Sequence, residues 1–153
     1  MARIALSLDV AAPPDRTFEV FTDLEKAPDR VAGIVKLELL TDGPVGKGTR
    51  FRETRIMFKR EATEEMEITA FEPGKGYAVE AETCGCHFKT VFTFTPFTST
   101  AGGAGTRVDM VTETRALTFF AKLMTPLSAL MTAPMKKVMT ADMQALKAAA
   151  EKE

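Results

Sequence analysis

The chain has 153 residues, 45% hydrophobic and 27% charged, with a formal net charge of −1 and an isoelectric point near 6.0. This size predicts one domain spanning 1–153, able to bury roughly 70% of its unfolded surface, and the near-neutral charge argues against nucleic acid as a partner. No apolar run approaches the roughly 18 residues of a membrane span and no signal-peptide core opens the chain, so stable membrane insertion is not expected and a cytoplasmic setting is.

Ile4, Leu6, Leu8 and Val10 alternate with Arg3, Ala5, Ser7 and Asp9, which predicts a strand with one buried face. Pro13-Pro14-Asp15 breaks it and opens a helix with Phe18, Phe21 and Leu24 on its apolar side. Ala27-Pro28-Asp29 interrupts again, so two short helices follow the first strand. A second strand is predicted from Ile34 to Leu40, with Val35, Leu37 and Leu39 on one face and Lys36 and Glu38 on the other. The loop from Asp42 to Gly48 superficially resembles a phosphate-binding loop, but Gly48 separates Lys47 from Thr49 and no helix follows, so it reads as a strand-to-strand turn.

Thr49 to Ile56 and Glu61 to Phe71 read as strands joined around Met57-Phe58-Lys59-Arg60. Pro73-Gly74 turns into Tyr77 to Thr83, and Cys84-Gly85 forms the tip of a tight hairpin. That tip pairs Thr83 with Cys86, Glu82 with His87 and Ala81 with Phe88. Phe88, Phe92 and Phe94 then share a face with Tyr77, Val79 and Ala81, while His87 lies on the solvent side beside Glu82. Thr98 to Gly105 is polar and glycine-rich, which predicts a mobile loop. The last strand, Thr106 to Thr114, places Val108, Met110 and Thr112 together.

From Leu127 onward the apolar residues Leu127, Leu130, Met131, Met135, Val138, Met139, Met143, Leu146 and Ala150 recur at helical spacing. Pro126 and Pro134 each remove a backbone donor, so the expectation is a short helix to about Thr125, a bend, and a regular helix from about Pro134 to Ala149. A run of strands joined by tight turns, covered by one long helix, is an α+β layer architecture with an antiparallel sheet of about seven strands.

Three blocks, VAAPPDRTFEVFTDLEKAPD, GIVKLELLTDGPVGKGTRFRETR and REATEEMEITAFEP, resemble bacterial members of the SRPBCC superfamily. The nearest group is the polyketide cyclase/dehydrase and lipid-transport type, related to START and Bet v domains. The resemblance implies a helix-grip fold, in which a curved sheet wraps the C-terminal helix and leaves a cavity between them. It also implies binding, and possible transport, of an apolar or amphipathic small molecule such as a lipid, polyketide or quinone; only some members catalyse a reaction. Arg30 stands where many relatives carry an aromatic residue, usually tryptophan.

Nine methionines and eleven phenylalanines, with one tyrosine and no tryptophan, suit either a plain apolar core or an adaptable apolar cavity. The residues expected to line it are Phe51, Glu53, Arg55, Glu64, Met66, Tyr77, Phe88, Phe92, Met110, Leu127, Leu130, Met131 and Met135. Alternation from Phe51 puts Glu53 and Arg55 on the inward face, and alternation from Met66 and Ile68 puts Glu64 there too. Buried charge is costly unless paired, so Arg55 is expected to contact a carboxylate. Two readings stay open: a polar anchor or acid/base pair made by Glu53 and Glu64, as in a cyclase or dehydratase, or a structural ion pair. A protein-interaction module is the further alternative. Cys84, Cys86 and His87 fall short of a zinc site, so no metal and no cofactor are expected. Access to the cavity is expected between the Pro126–Pro134 bend and the Asp23 to Arg30 region.

Overall fold

The computed structural model describes residues 2–83, 85–124 and 132–152. Seven strands form one antiparallel sheet: β1 (Ala2–Val10), β2 (Ile34–Leu39), β3 (Arg50–Met57), β4 (Arg60–Glu72), β5 (Gly76–Thr83), β6 (Cys86–Thr98) and β7 (Ala104–Ala116), in the spatial order β1-β7-β6-β5-β4-β3-β2. Between β1 and β2 lie α1 (Pro14–Thr22), a 3-10 turn (Leu24–Lys26) and α2 (Ala27–Arg30); after β7 come α3 (Phe119–Leu123) and the long α4 (Thr132–Lys152). Every strand from β2 to β7 pairs with its sequence neighbour, as tight turns require, and only the β1–β7 ladder joins distant parts of the chain.

Several expectations change in detail. Pairing slips between Ile34 and Lys36, so a bulge at Val35 turns that side chain out to 47% exposure and sends Ile34 inward instead. The loop expected over Thr98 to Gly105 narrows to 99–103, because Thr98 pairs with Ala104 and Phe97 with Gly105. A Cβ on Gly105 would meet the Phe97 ring at 2.6 Å, so glycine there serves close packing within the ladder. The C-terminal helix starts before Pro134 and runs on to Lys152; proline fits its third position because first-turn N–H groups have no intrahelical partner. The expected bend and access route fall mostly on 125–131, outside the described residues.

One end of the concave face is tightly packed. Pro13 and Pro14 start α1, whose Phe18 and Phe21 meet Phe71, Tyr77, Phe92 and Phe94 from the sheet, with ring centroids 5.2–6.1 Å apart. Val10, Val20, Val108, Met143 and Ala150 fill in around them. Two bonds fasten the end of α4 to the end of β1 and the residue just after it: the Ala11 N–H donates to Glu151 Oε2 at 2.8 Å, and Lys147 Nζ donates to the Asp9 carbonyl at 2.7 Å. Beneath them, Thr106 and Thr17 hydroxyls both donate to the buried Ala12 carbonyl, leaving no orphan acceptor there.

Candidate functional site

The other end of the concave face carries charge. β3 faces inward at Phe51, Glu53 and Arg55, and β4 sets Met66, Glu64 and Ala62 directly opposite them. Glu53 and Glu64 are thus cross-strand neighbours of like charge, an arrangement that needs a cation nearby. Arg55 supplies it: its Nε donates to Glu53 Oε1 at 2.9 Å, and its Nη1 donates to Asp142 Oδ2 of α4 at 2.8 Å. The three side chains are only 14%, 16% and 24% exposed, so one guanidinium ties the sheet to the helix inside the fold.

The expected contact of Arg55 with a carboxylate is met at Glu53, and Asp142 of α4 joins it as a second partner. Asp142 was missed, although the sequence carries a trace of it: Asp142 lies three residues after Met139 and seven after Met135, on the helix's apolar stripe, and is the first acid after Glu113. Burial pushes the carboxyl groups of Glu53 and Asp142 above their ordinary values of 4.5 and 3.8, against the pull of Arg55. Burial also opposes the Arg55 charge, but the two carboxylates hold that guanidinium above its ordinary value.

The other expected lining residues divide into two sets. Phe51, Tyr77 and Met110 are fully buried in the packing. Met66, Phe88, Phe92 and Met135 are half-buried, as are Ala62, Glu64 and Ala81 beside them. Leu127, Leu130 and Met131 lie outside the described residues. The Tyr77 hydroxyl donates to the Phe21 carbonyl at 3.4 Å, and burial raises its pKa further above 10, so it stays a neutral phenol. Between Phe88 and Phe92 the hydroxyls of Thr90 and Thr112 bond each other at 2.9 Å, the second polar feature of this wall.

His87 lies on the outer face as the cross-strand partner of Glu82, and its Nε2 sits 2.9 Å from Glu80 Oε1. It helps line an outer groove of about 520 Å³ with Glu67, Thr69, Glu80 and Glu82. Among the described residues no group of three or more His, Cys, Asp or Glu side chains could hold a metal ion. Cys86 is a half-buried free thiol, and Cys84 lies outside the described residues. Arg30 turns back onto its own segment, donating to the Val20 carbonyl at 3.3 Å and pairing with Asp23 at 3.6 Å. No described helix is long and apolar enough to cross a membrane.

Residues 1–151 match the family described as polyketide cyclase / dehydrase and lipid transport. The fold is shared with a START superfamily protein from Mycobacterium smegmatis (12% identity, TM-score 0.72, 98% of this chain and 97% of that one). It is shared too with the Zhui aromatase/cyclase from a Streptomyces species (21%, TM-score 0.74, 98% and 93%) and with a truncated norcoclaurine synthase from Thalictrum flavum (21%, TM-score 0.68, 95% and 91%). No functionally curated protein matches in sequence. At these identities the solved structures establish the helix-grip fold alone. The family match, spanning nearly the whole chain, goes further: this chain belongs to the polyketide cyclase/dehydrase and lipid transport family of START/Bet v-like SRPBCC proteins, a family that binds hydrophobic ligands.

Proposed function

We propose that the chain 1–153 acts as one binding domain for a small molecule with an apolar body and a hydrogen-bond-donating end. The apolar body lies along Met66, Phe88, Phe92 and Met135, and the polar end meets the Glu53–Arg55–Asp142 network. One observation carries this reading: two half-buried carboxylates share a single guanidinium on an inward face that is otherwise mostly apolar. The surplus is in acceptors. A hydroxyl, phenol or amine finds free carboxylate oxygens there, whereas a fatty-acid carboxylate would meet like charge. A hydroxylated polyketide or lipid therefore fits better than an acid or a quinone, whose carbonyl oxygens only accept.

A second reading has a specific observation behind it. A carboxyl group raised by burial is the usual form of a general acid, so Glu53 or Asp142 would donate a proton in a cyclase- or dehydratase-type reaction. Asp142, not Glu64, then partners Glu53. Native mass spectrometry of freshly purified protein separates the readings. A retained apolar molecule bearing hydroxyl groups, lost in Asp142→Asn, supports binding. Turnover of a hydroxylated polyketide that Asp142→Asn stops while retaining the ligand supports catalysis. A second polypeptide in the spectrum, with no small molecule, favours the interaction module.

A further inference from the structure

We propose that the end of the molecule carrying α3 and the β3–β4 turn docks on an anionic lipid bilayer. It stands apart from what the concave face holds. The first observation is α3 itself. Thr118 caps it, accepting from the Ala121 N–H at 3.1 Å, and Leu117 N donates to the Gly85 carbonyl at 2.8 Å, so the helix is anchored on the β5–β6 turn. Its apolar side chains nevertheless turn away from the protein: Phe119 is 81% exposed, Phe120 71% and Leu123 64%. Large exposed apolar side chains grouped on an ordered element mark a contact surface.

The second observation is the β3–β4 turn. Phe58 and Lys59 have φ values of 54° and 64°, the left-handed region that a two-residue hairpin turn normally fills with Asn or Gly. Phe58 is also 49% exposed. A bulky residue held in that conformation carries backbone strain while about half of its surface stays open to solvent. The two elements share one end of the sheet. Cys86 pairs with both Thr83 and Ala116, which puts the β5–β6 turn beside the start of α3, and β4 enters from Arg60 at that same end.

Charge selects the occupant. Between Glu113 and Asp142 the sequence holds Arg115, Lys122, Lys136 and Lys137 and no acid, in a chain whose net charge is −1. Lys59 and Arg60 add to this at the turn. All six are exposed, and among the described residues none forms an ion pair. The nearby acids Glu61 and Glu82 lie on the outer face, where Glu82, His87 and Arg115 form one cross-strand row, so the cations on the two elements themselves, Lys122 of α3 and Lys59 of the turn, carry the attraction. A second copy of this chain would bring these cations against their own kind across a two-fold contact. Anionic headgroups over acyl chains accept the cations and the rings together.

The test is co-sedimentation with vesicles of phosphatidylcholine alone and of phosphatidylcholine mixed with phosphatidylglycerol. The protein should pellet with the mixed vesicles, less so at high salt, and Phe119→Ser with Phe120→Ser should weaken this about tenfold while thermal unfolding stays unchanged. Phe58→Asn gives an independent arm, since it relieves the turn: it should raise the unfolding temperature yet weaken vesicle binding about two- to threefold. Failure of the unmodified protein to pellet with mixed vesicles would overturn the proposal. So would equal binding by the double variant, or a dimer dissolved by that variant with no vesicle binding, which assigns the patch to a second copy.

Discussion

The two ends of the concave face are built from the same strands yet follow opposite rules. Around α1, six rings interlock, Val10 and Val108 are wholly buried, and polar groups such as the Ala12 carbonyl are satisfied by neighbouring hydroxyls. Toward the β3–β4 turn the inward residues are half-buried, and two acids, Glu53 and Asp142, share one arginine. The first end spends its sequence on packing. The second places charged groups where an apolar core would pack more simply. A helix-on-sheet layer can thus separate stability from binding along a single strand, because each inward position contributes locally to whatever lies above it.

Truncation should separate the ends most sharply. Phe18→Ala removes the ring that touches Phe71, Tyr77 and Phe94 and should cost about 3–5 kcal/mol in urea denaturation. Phe88→Ala, at the half-buried end, should cost about 1–2 kcal/mol. Equal losses would erase the distinction. Arg55→Ala comes next. It leaves Glu53 and Asp142 unpaired inside the fold and should cost about 2–3 kcal/mol, below the range for a fully buried pair because some solvent reaches these groups. A loss under about 0.5 kcal/mol would mean that water already carries the network.

The smallest effect is the dependence on pH. Glu53 and Asp142 titrate in the folded state above their ordinary 4.5 and 3.8, so between those values and the raised ones the native state binds more protons than the unfolded chain. Their contribution to stability therefore improves as pH falls through that window and is lost as pH rises through it. Asp142→Asn removes one of the two titrations. The stability of the unmodified protein relative to this variant should increase, by up to about 1 kcal/mol, on moving from neutral pH toward 4. Parallel thermal unfolding curves at each pH would show that Asp142 titrates as an ordinary surface acid.

Much of this comparison was legible in the residues. Period-two alternation placed Glu53, Arg55 and Glu64 on one inward face, and the Cys84-Gly85 turn set the register that joins Ala81 to Phe88, because both follow from neighbours along the chain. The same local logic failed at Val35, where an extra residue in the strand reversed the face without any Gly or Pro to announce it. It also had no means of choosing a second partner for Arg55. Glu53, two residues along the same strand, is within reach of sequence reasoning, but the second bond goes to Asp142, 87 residues away. Only the seating of α4 in the curved sheet decides which turn of the helix stands above β3. Nor does sequence distinguish a ring that completes a core from one that turns to solvent. Phe18 and Phe119 each open an apolar pair of side chains on a short helix; the first meets the sheet and the second does not. Hydrophobicity and spacing determined the elements and their inward faces. The distances between elements, set by packing, bulges and sheet curvature, decided which inward groups meet and which faces remain open.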